Sequence, residues 1–217
     1  HRWSEALKDA QQAVFIRPEW AKAHSRVGLA LYKKSNFEDA IQAYNTALKY
    51  DPSNSELSKN IATVQNAWKA SERHVLAEEL MLKGKVDQAL PFFKEAVELD
   101  PYNALYWSNI SHAYMMVGQG KQAYQAAEKV IQLRPQWHKG YQRKAEALYG
   151  LKKYAESAAV YATALQIEPT NAQLNSGFSK AHTMASKPPE DVDNEEDNSF
   201  DSFIAKPLQS VKNFFGI

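Results

Sequence analysis

Five prolines set the architecture of this chain. They close the similar tripeptides Ile16-Arg17-Pro18, Tyr50-Asp51-Pro52, Leu99-Asp100-Pro101, Leu133-Arg134-Pro135 and Ile167-Glu168-Pro169, at spacings of 34, 49, 34 and 34 residues. Proline cannot continue a helix and biases its predecessor away from the helical region, so each tripeptide marks a helix end. Small residues stand twelve positions before these prolines, as Ala6, Ala40, Ala89, Ala123 and Ser157. A second small column lies five positions before them, as Ala13, Ala47, Ala96 and Ala164, with Val130 as the variant. Small side chains in register let antiparallel helices approach closely. Bulky columns alternate with them: Tyr44, Phe93 and Tyr161, then Leu31, Leu80, Tyr114 and Leu148. Turn signals fall mid-unit at Ser35-Asn36, Gly84-Lys85, Gly118-Gln119-Gly120 and Lys152-Lys153. Each 34-residue unit is therefore two helices joined by a tight turn, and the interval of 49 is one unit plus a further helix.

These columns resemble tetratricopeptide repeats, and within that class the paired arrays of the Hsp-organising co-chaperones (the Sti1/Hop family). The resemblance implies an all-α superhelical solenoid of antiparallel helix pairs, in two blocks joined by a capping or linker helix. Block one spans residues 1–69: the second helix of a repeat at 1–18, a complete repeat at 21–52 and a capping helix at 53–69. In that helix Leu57, Ile61, Val64 and Trp68 form one apolar stripe. Block two spans 70–186, with repeats at 70–103, 104–137 and 138–171 and a second cap at 172–186 carrying Leu174 and Phe178. Opening on a half repeat, without an initial Met, the chain is expected to lack at least one upstream helix. Pro91 falls near the start of a second helix, where a local irregularity is expected.

Charge and composition narrow the function. The chain has no cysteine, which excludes disulfides, thiolate metal sites and a cysteine nucleophile. No apolar run approaches the ~20 residues of a membrane span. Phosphate-binding loops and nucleophile elbows are absent, as are the strands to carry them. The net charge of +1 exerts no general pull on nucleic acid or membranes. It is unevenly spread, with −5 in the last thirty residues and +6 in the 187 before them.

The concave face of such an array is lined by the leading helix of each repeat, and charged or amide side chains there are candidates for ligand contact. Lys22 and Arg26, and again Lys139 and Arg143, lie thirty and twenty-six positions before a marker proline. Each pair is one helical turn apart, so both cations share a face and invite an anion. Their strings, Lys22-Ala23-His24-Ser25-Arg26 and Lys139-Gly140-Tyr141-Gln142-Arg143-Lys144, are similar to the third-repeat segment of the co-chaperone carboxylate clamp. That clamp holds the Glu-Glu-Val-Asp ends of cytosolic heat-shock chaperones. The resemblance carries over Asn109, from Trp107-Ser108-Asn109-Ile110, as a second-repeat clamp residue. It fails in the first repeat of block two, where the family's lysine and asparagine fall on His74 and Glu78. The site residues expected to bind peptide are therefore Lys22, Arg26, Asn109, Lys139 and Arg143. The chemistry fits: a carboxylate offers only acceptors, Lys and Arg supply charge-assisted donors, and an Asn amide donates without adding charge.

The expectation is a cytoplasmic, non-enzymatic co-chaperone-like adaptor without metal or cofactor, whose partners are acidic C-terminal peptides of heat-shock chaperones. The rivals are a scaffold with no terminal-carboxylate preference and a regulatory module of a larger protein. Oligomeric state is left open. Beyond Lys187-Pro188-Pro189, six of the eight residues Glu190 to Asp197 are acidic, which reads as a disordered linker. Ile204, Leu208, Val211 and Phe215 then form a short amphipathic segment. The tail is expected either to dock through that segment or to compete for a basic groove.

Overall fold

A computed structural model describes residues 2–187, so the expectations for the acidic run and the terminal amphipathic segment lie outside the described residues. Ten helices and no strand occur among the described residues: α1 (Arg2–Ile16), α2 (Ala21–Lys33), α3 (Phe37–Tyr50), α4 (Ser55–Leu82), α5 (Val86–Leu99), α6 (Ala104–Met116), α7 (Gly120–Leu133), α8 (His138–Gly150), α9 (Tyr154–Ile167) and α10 (Ala172–Ala185). They fall into two compact units that divide between Glu72 and Arg73. In the first, α1 packs on α2 and α2 on α3. In the second, α6 pairs with α7 and α8 with α9, while α5 meets α6, α7 meets α8 and α9 meets α10.

The repeat columns are what these helices bury. Ala40, Ala89, Ala123 and Ser157 are fully enclosed, as are Ala47, Ala96, Val130 and Ala164. Tyr44, Phe93 and Tyr161 fill the space beside them. Room for two of these rings comes from glycine: a Cβ on Gly28 would meet the Tyr44 ring at 2.9 Å, and one on Gly177 would strike Tyr161. Truncating such a ring to alanine costs about 3–5 kcal/mol through lost burial and the cavity left behind.

Every mid-unit turn uses one device. Ser35, Gly84, Gly118 and Lys152 adopt positive φ of 60°, 70°, 73° and 58°. The following N–H then reaches back to the carbonyl of Leu31, Leu80, Tyr114 or Leu148, at 2.8–3.0 Å. This left-handed C-terminal cap satisfies carbonyls that the helix end would otherwise leave bare. The bulky column thus supplies both an apolar side chain and the acceptor that reverses the chain.

The turns between repeats use another device. The carbonyl of a marker proline accepts a hydrogen bond from a side chain six residues on: His24 Nε2 to Pro18 at 2.6 Å, Trp107 Nε1 to Pro101 at 2.8 Å, Tyr141 Oη to Pro135 at 3.0 Å and Asn175 Nδ2 to Pro169 at 3.3 Å. At Pro52 the chain instead uses Asn54, whose Oδ1 accepts from Glu56 and Leu57 at the start of α4.

Two local expectations meet a different outcome. The expected cap at 53–69 and the leading helix beginning at 70 run as one helix of 28 residues. Residues 53–83 contain neither glycine nor proline, so nothing breaks the helix until the left-handed turn at Gly84. Its first half buries Leu57 and Val64 against Ala40, Tyr44 and Ala47, with Trp68 stacked on Phe37. Its last turns set His74 edge-on to Phe93 and pair Arg73 with Glu95 of α5 at 2.9 Å. Pro91 does not interrupt α5, where it occupies an exposed position near the N-terminal end. The one hydrogen bond it removes lies on the solvent side.

Candidate functional site

In the first unit α2 begins after Trp20, which holds extended backbone and leaves Lys22 and Arg26 on successive turns. Both side chains are exposed, and neither has an acid, hydrogen-bond or ring partner among the described residues. His24, between them in sequence, is engaged elsewhere: it bonds Pro18 and stacks on Tyr50 with centroids 5.5 Å apart. This pair is a bare cationic patch.

The second unit builds a more elaborate strip from three leading helices, the end of α4, then α6 and α8. Asn109 on α6 reaches α4 with both protons of its amide, donating to Glu78 Oε1 at 3.0 Å and to His74 Nε2 at 2.9 Å. His74 and Glu78 themselves stand 3.6 Å apart. One turn along α6, His112 Nδ1 accepts from Arg143 Nη1 of α8 at 3.3 Å. The same Nη1 makes a 2.7 Å ion pair with Glu146, whose other oxygen accepts from Gln142 at 2.8 Å. Lys139, one turn before Arg143, is half-buried and has no ion-pair or hydrogen-bond partner among the described residues.

Burial and charge set the protonation along this strip. Burial drives His74 down to about 4 and His112 to about 3, the latter helped by Arg143, so both imidazoles are neutral. Burial raises Glu78 to about 7, against the opposing hydrogen bond from Asn109. Burial would also raise Glu146, but Arg143 and its hydrogen bonds overcome this and hold Glu146 below the usual carboxylate range. Lys139 is lowered by desolvation and then by the neighbouring Arg143, against the opposing pull of Glu146. A ligand anion would relieve that repulsion, which is the chemical opening of the site.

The sequence-predicted residues are thus brought together unequally. Lys139 and Arg143 share one face of α8. Asn109 lies one turn of α6 before His112, which accepts from Arg143, but its two amide protons are spent and its free atom is the acceptor Oδ1. Arg143 keeps Nη2 for a ligand, while its Nε is buried without a partner. Sequence reasoning missed Glu146 and His112. Glu146 had a signal, since an acid three residues after an arginine on a helix is an expected pair. His112 had none, because its contact crosses between helices. Among the described residues no three of His, Asp or Glu gather as a metal ion would need, and no helix is long and apolar enough to cross a membrane.

Comparison with known proteins agrees with the repeat pattern. Tetratricopeptide-repeat family models match residues 21–54, 73–103 and 138–171. Hsp70-Hsp90 organizing protein 3 of Arabidopsis thaliana is 36% identical over 209 residues, 86% of this chain and 37% of that protein. The STIP1 homolog of Dictyostelium discoideum is 34% identical over 127 residues, 58% of this chain and 22% of that protein. The chain spans less than half the length of the curated relatives first matched. Among solved structures, the tetratricopeptide domain of P58(IPK) superposes with a TM-score of 0.60 at 19% identity, covering 84% of this chain and 51% of that one. The first tetratricopeptide domain of Spaghetti, solved bound to the HSP90 peptide SRMEEVD, superposes with a TM-score of 0.53 at 23% identity, covering 56% of this chain and 96% of that one. The chain carries tetratricopeptide repeats in arrays similar to those of the Hsp70-Hsp90 organising proteins.

Proposed function

We propose that this chain is a non-enzymatic adaptor of the cytoplasm that binds the acidic C-terminal ends of heat-shock chaperones through its leading-helix cations. One observation carries the reading: Lys22 and Arg26 on α2, and Lys139 beside Arg143 on α8, are paired cations on leading helices. Three of the four form no ion pair among the described residues. Unneutralised cations one turn apart offer two charge-assisted donors to a chain-terminal carboxylate and its neighbouring side chain. The relatives named for organising Hsp70 and Hsp90, and the HSP90 peptide held by Spaghetti, support the choice of chaperone ends as ligands. Two such sites in one chain would tether two partners, each raising the effective concentration of the other.

The test is calorimetric titration with a peptide ending in Glu-Glu-Val-Asp, as free acid and as C-terminal amide. The free acid should bind about tenfold or more tightly than the amide. Lys22→Ala with Arg26→Ala should remove one of two binding events. Equal binding of acid and amide would favour a scaffold without end recognition, a reading to which the commitment of Arg143 to Glu146 gives some weight.

A further inference from the structure

We infer that the strip in the second unit is split in polarity, taking a terminal carboxylate at Lys139 and Arg143 and a cationic side chain at Glu78 and Asn109. This rests on the reading of the strip as an end-binding groove and names the chemistry of its ligand. The argument begins with the atoms left over. Glu78 Oε1 is occupied by Asn109, but Oε2 has no partner among the described residues and the side chain is 22% exposed. Asn109 spends both donors inward and keeps only Oδ1. His74 accepts from Asn109 through Nε2, is buried to 7% and adds no donor toward the opening at that atom. With Glu78 ionised, the α4–α6 end of the strip therefore offers two acceptors and no free donor from these groups, which suits an ammonium or guanidinium and repels a carboxylate.

The other end has the opposite character. Lys139 and the free Nη2 of Arg143 are donors only, and the acid nearby, Glu146, already faces Arg143 Nη1 and Gln142. The two ends are joined by short steps: Glu78 to Asn109, one turn of α6 to His112, and His112 to Arg143 at 3.3 Å. That path is roughly 10 Å, or about three residues of extended peptide. A ligand with its terminal carboxylate at Arg143 would therefore place the fourth residue from its end near Glu78. In a Glu-Glu-Val-Asp end that residue is an acid facing an acid. In a Lys-Glu-Val-Asp end it is a lysine facing two acceptors.

The experiment uses the full 217-residue chain carrying Lys22→Ala and Arg26→Ala, both exposed positions, so that the second unit alone is read. Heptapeptides ending in Lys-Glu-Val-Asp and Glu-Glu-Val-Asp, each as free acid and amide, are titrated by calorimetry at pH 8, above the value of about 7 at which Glu78 ionises. The lysine peptide should bind on the order of tenfold more tightly, and Glu78→Gln should close the gap. Free acids that bind alike whatever the fourth residue, or a gap that survives Glu78→Gln, would overturn the split strip while leaving end recognition standing. Amides that bind as well as acids, or no binding by any peptide, would overturn end recognition and the split together. Should Glu78→Gln fail to fold, the peptide pair against the Glu78-bearing protein decides alone.

Discussion

The two units carry the same pair of cations in opposite settings. Lys22 and Arg26 stand in water with no partner among the described residues, whereas Arg143 is wedged between His112 and Glu146 with its side chain only 14% exposed. An exposed cation contributes to binding and almost nothing to folding, because surface charges are well solvated without a partner. A buried arginine does both, since the carboxylate it neutralises cannot stay buried alone. The lesson is that one sequence column can leave a cation free in water in one repeat and build it into the folded structure in another.

The sharpest way to break that comparison is to truncate both arginines. Arg143→Ala leaves Glu146, 11% exposed, without its cation, and should destabilise the protein by roughly 3 kcal/mol in urea unfolding. Arg26→Ala should change stability by less than about 0.5 kcal/mol. Adding Glu146→Gln to Arg143→Ala should recover much of the loss. Equal stability of the two single variants would mean that Glu146 is solvated after all and that the two units do not differ.

The next effect is a dependence of stability on pH, which only the second unit should show at these positions. Glu78 has a folded value of about 7, above its unfolded one, so its contribution is complete below the unfolded value and fades as pH rises toward 7. His74 and His112 lie at about 4 and about 3, below their unfolded values, so their contribution is lost as pH falls from 6.5 toward 4. Between pH 4.5 and 6.5 the two histidines outweigh the one glutamate, and stability should rise with pH. Glu78→Gln removes the opposing slope, so the rise should steepen by roughly 1–3 kcal/mol across pH 4.5–7. Parallel urea-midpoint curves for the two proteins would place Glu78 in solvent.

How much of this could be read beforehand divides along physical lines. The period, the small columns and the positions of the four mid-unit turns were legible because backbone geometry leaves few choices at a tight helix reversal or a close helix crossing. The fused α4 was legible in principle, since residues 53–83 lack any breaker, but expecting every repeat to begin a new helix hid it. The side chains bonding the proline carbonyls were not, because histidine, tryptophan, tyrosine and asparagine perform one task and share no residue type. Along the strip, the positions of Asn109, Lys139 and Arg143 followed from the column. The partners of Asn109, and the His112 that Arg143 meets beside Glu146, lie more than thirty residues away, and they set the direction in which Asn109 donates.

A smaller test concerns the proline carbonyls. Tyr141→Phe keeps the ring and removes the donor, while Trp107→Phe removes the donor together with part of the indole, and each should cost about 1 kcal/mol or slightly more in thermal or urea unfolding. Among the described residues no equivalent bond closes Pro52, where Asn54 caps α4 instead, so Ser58→Ala, six residues beyond it, should be neutral. A loss at Ser58 as large as at Trp107 would remove the distinction between the junction at Pro52 and the other repeat boundaries.

The smallest effect compares the turns. Gly84 and Gly118 meet the left-handed conformation without a side chain, but Ser35 in the first unit and Lys152 in the second adopt φ of 60° and 58° with one. A side chain there crowds the following carbonyl, a strain of roughly 1 kcal/mol that glycine escapes. Against this, glycine widens the unfolded ensemble and returns part of the gain. Ser35→Gly and Lys152→Gly should therefore each stabilise by about 0.5 kcal/mol, and Gly84→Ala and Gly118→Ala should each destabilise by about 1 kcal/mol. Lys152 has a further partner that its backbone change would disturb, so its gain should be the smaller of the two. If Lys152→Gly gained as much as Ser35→Gly, the turn backbone alone would set the balance in both units.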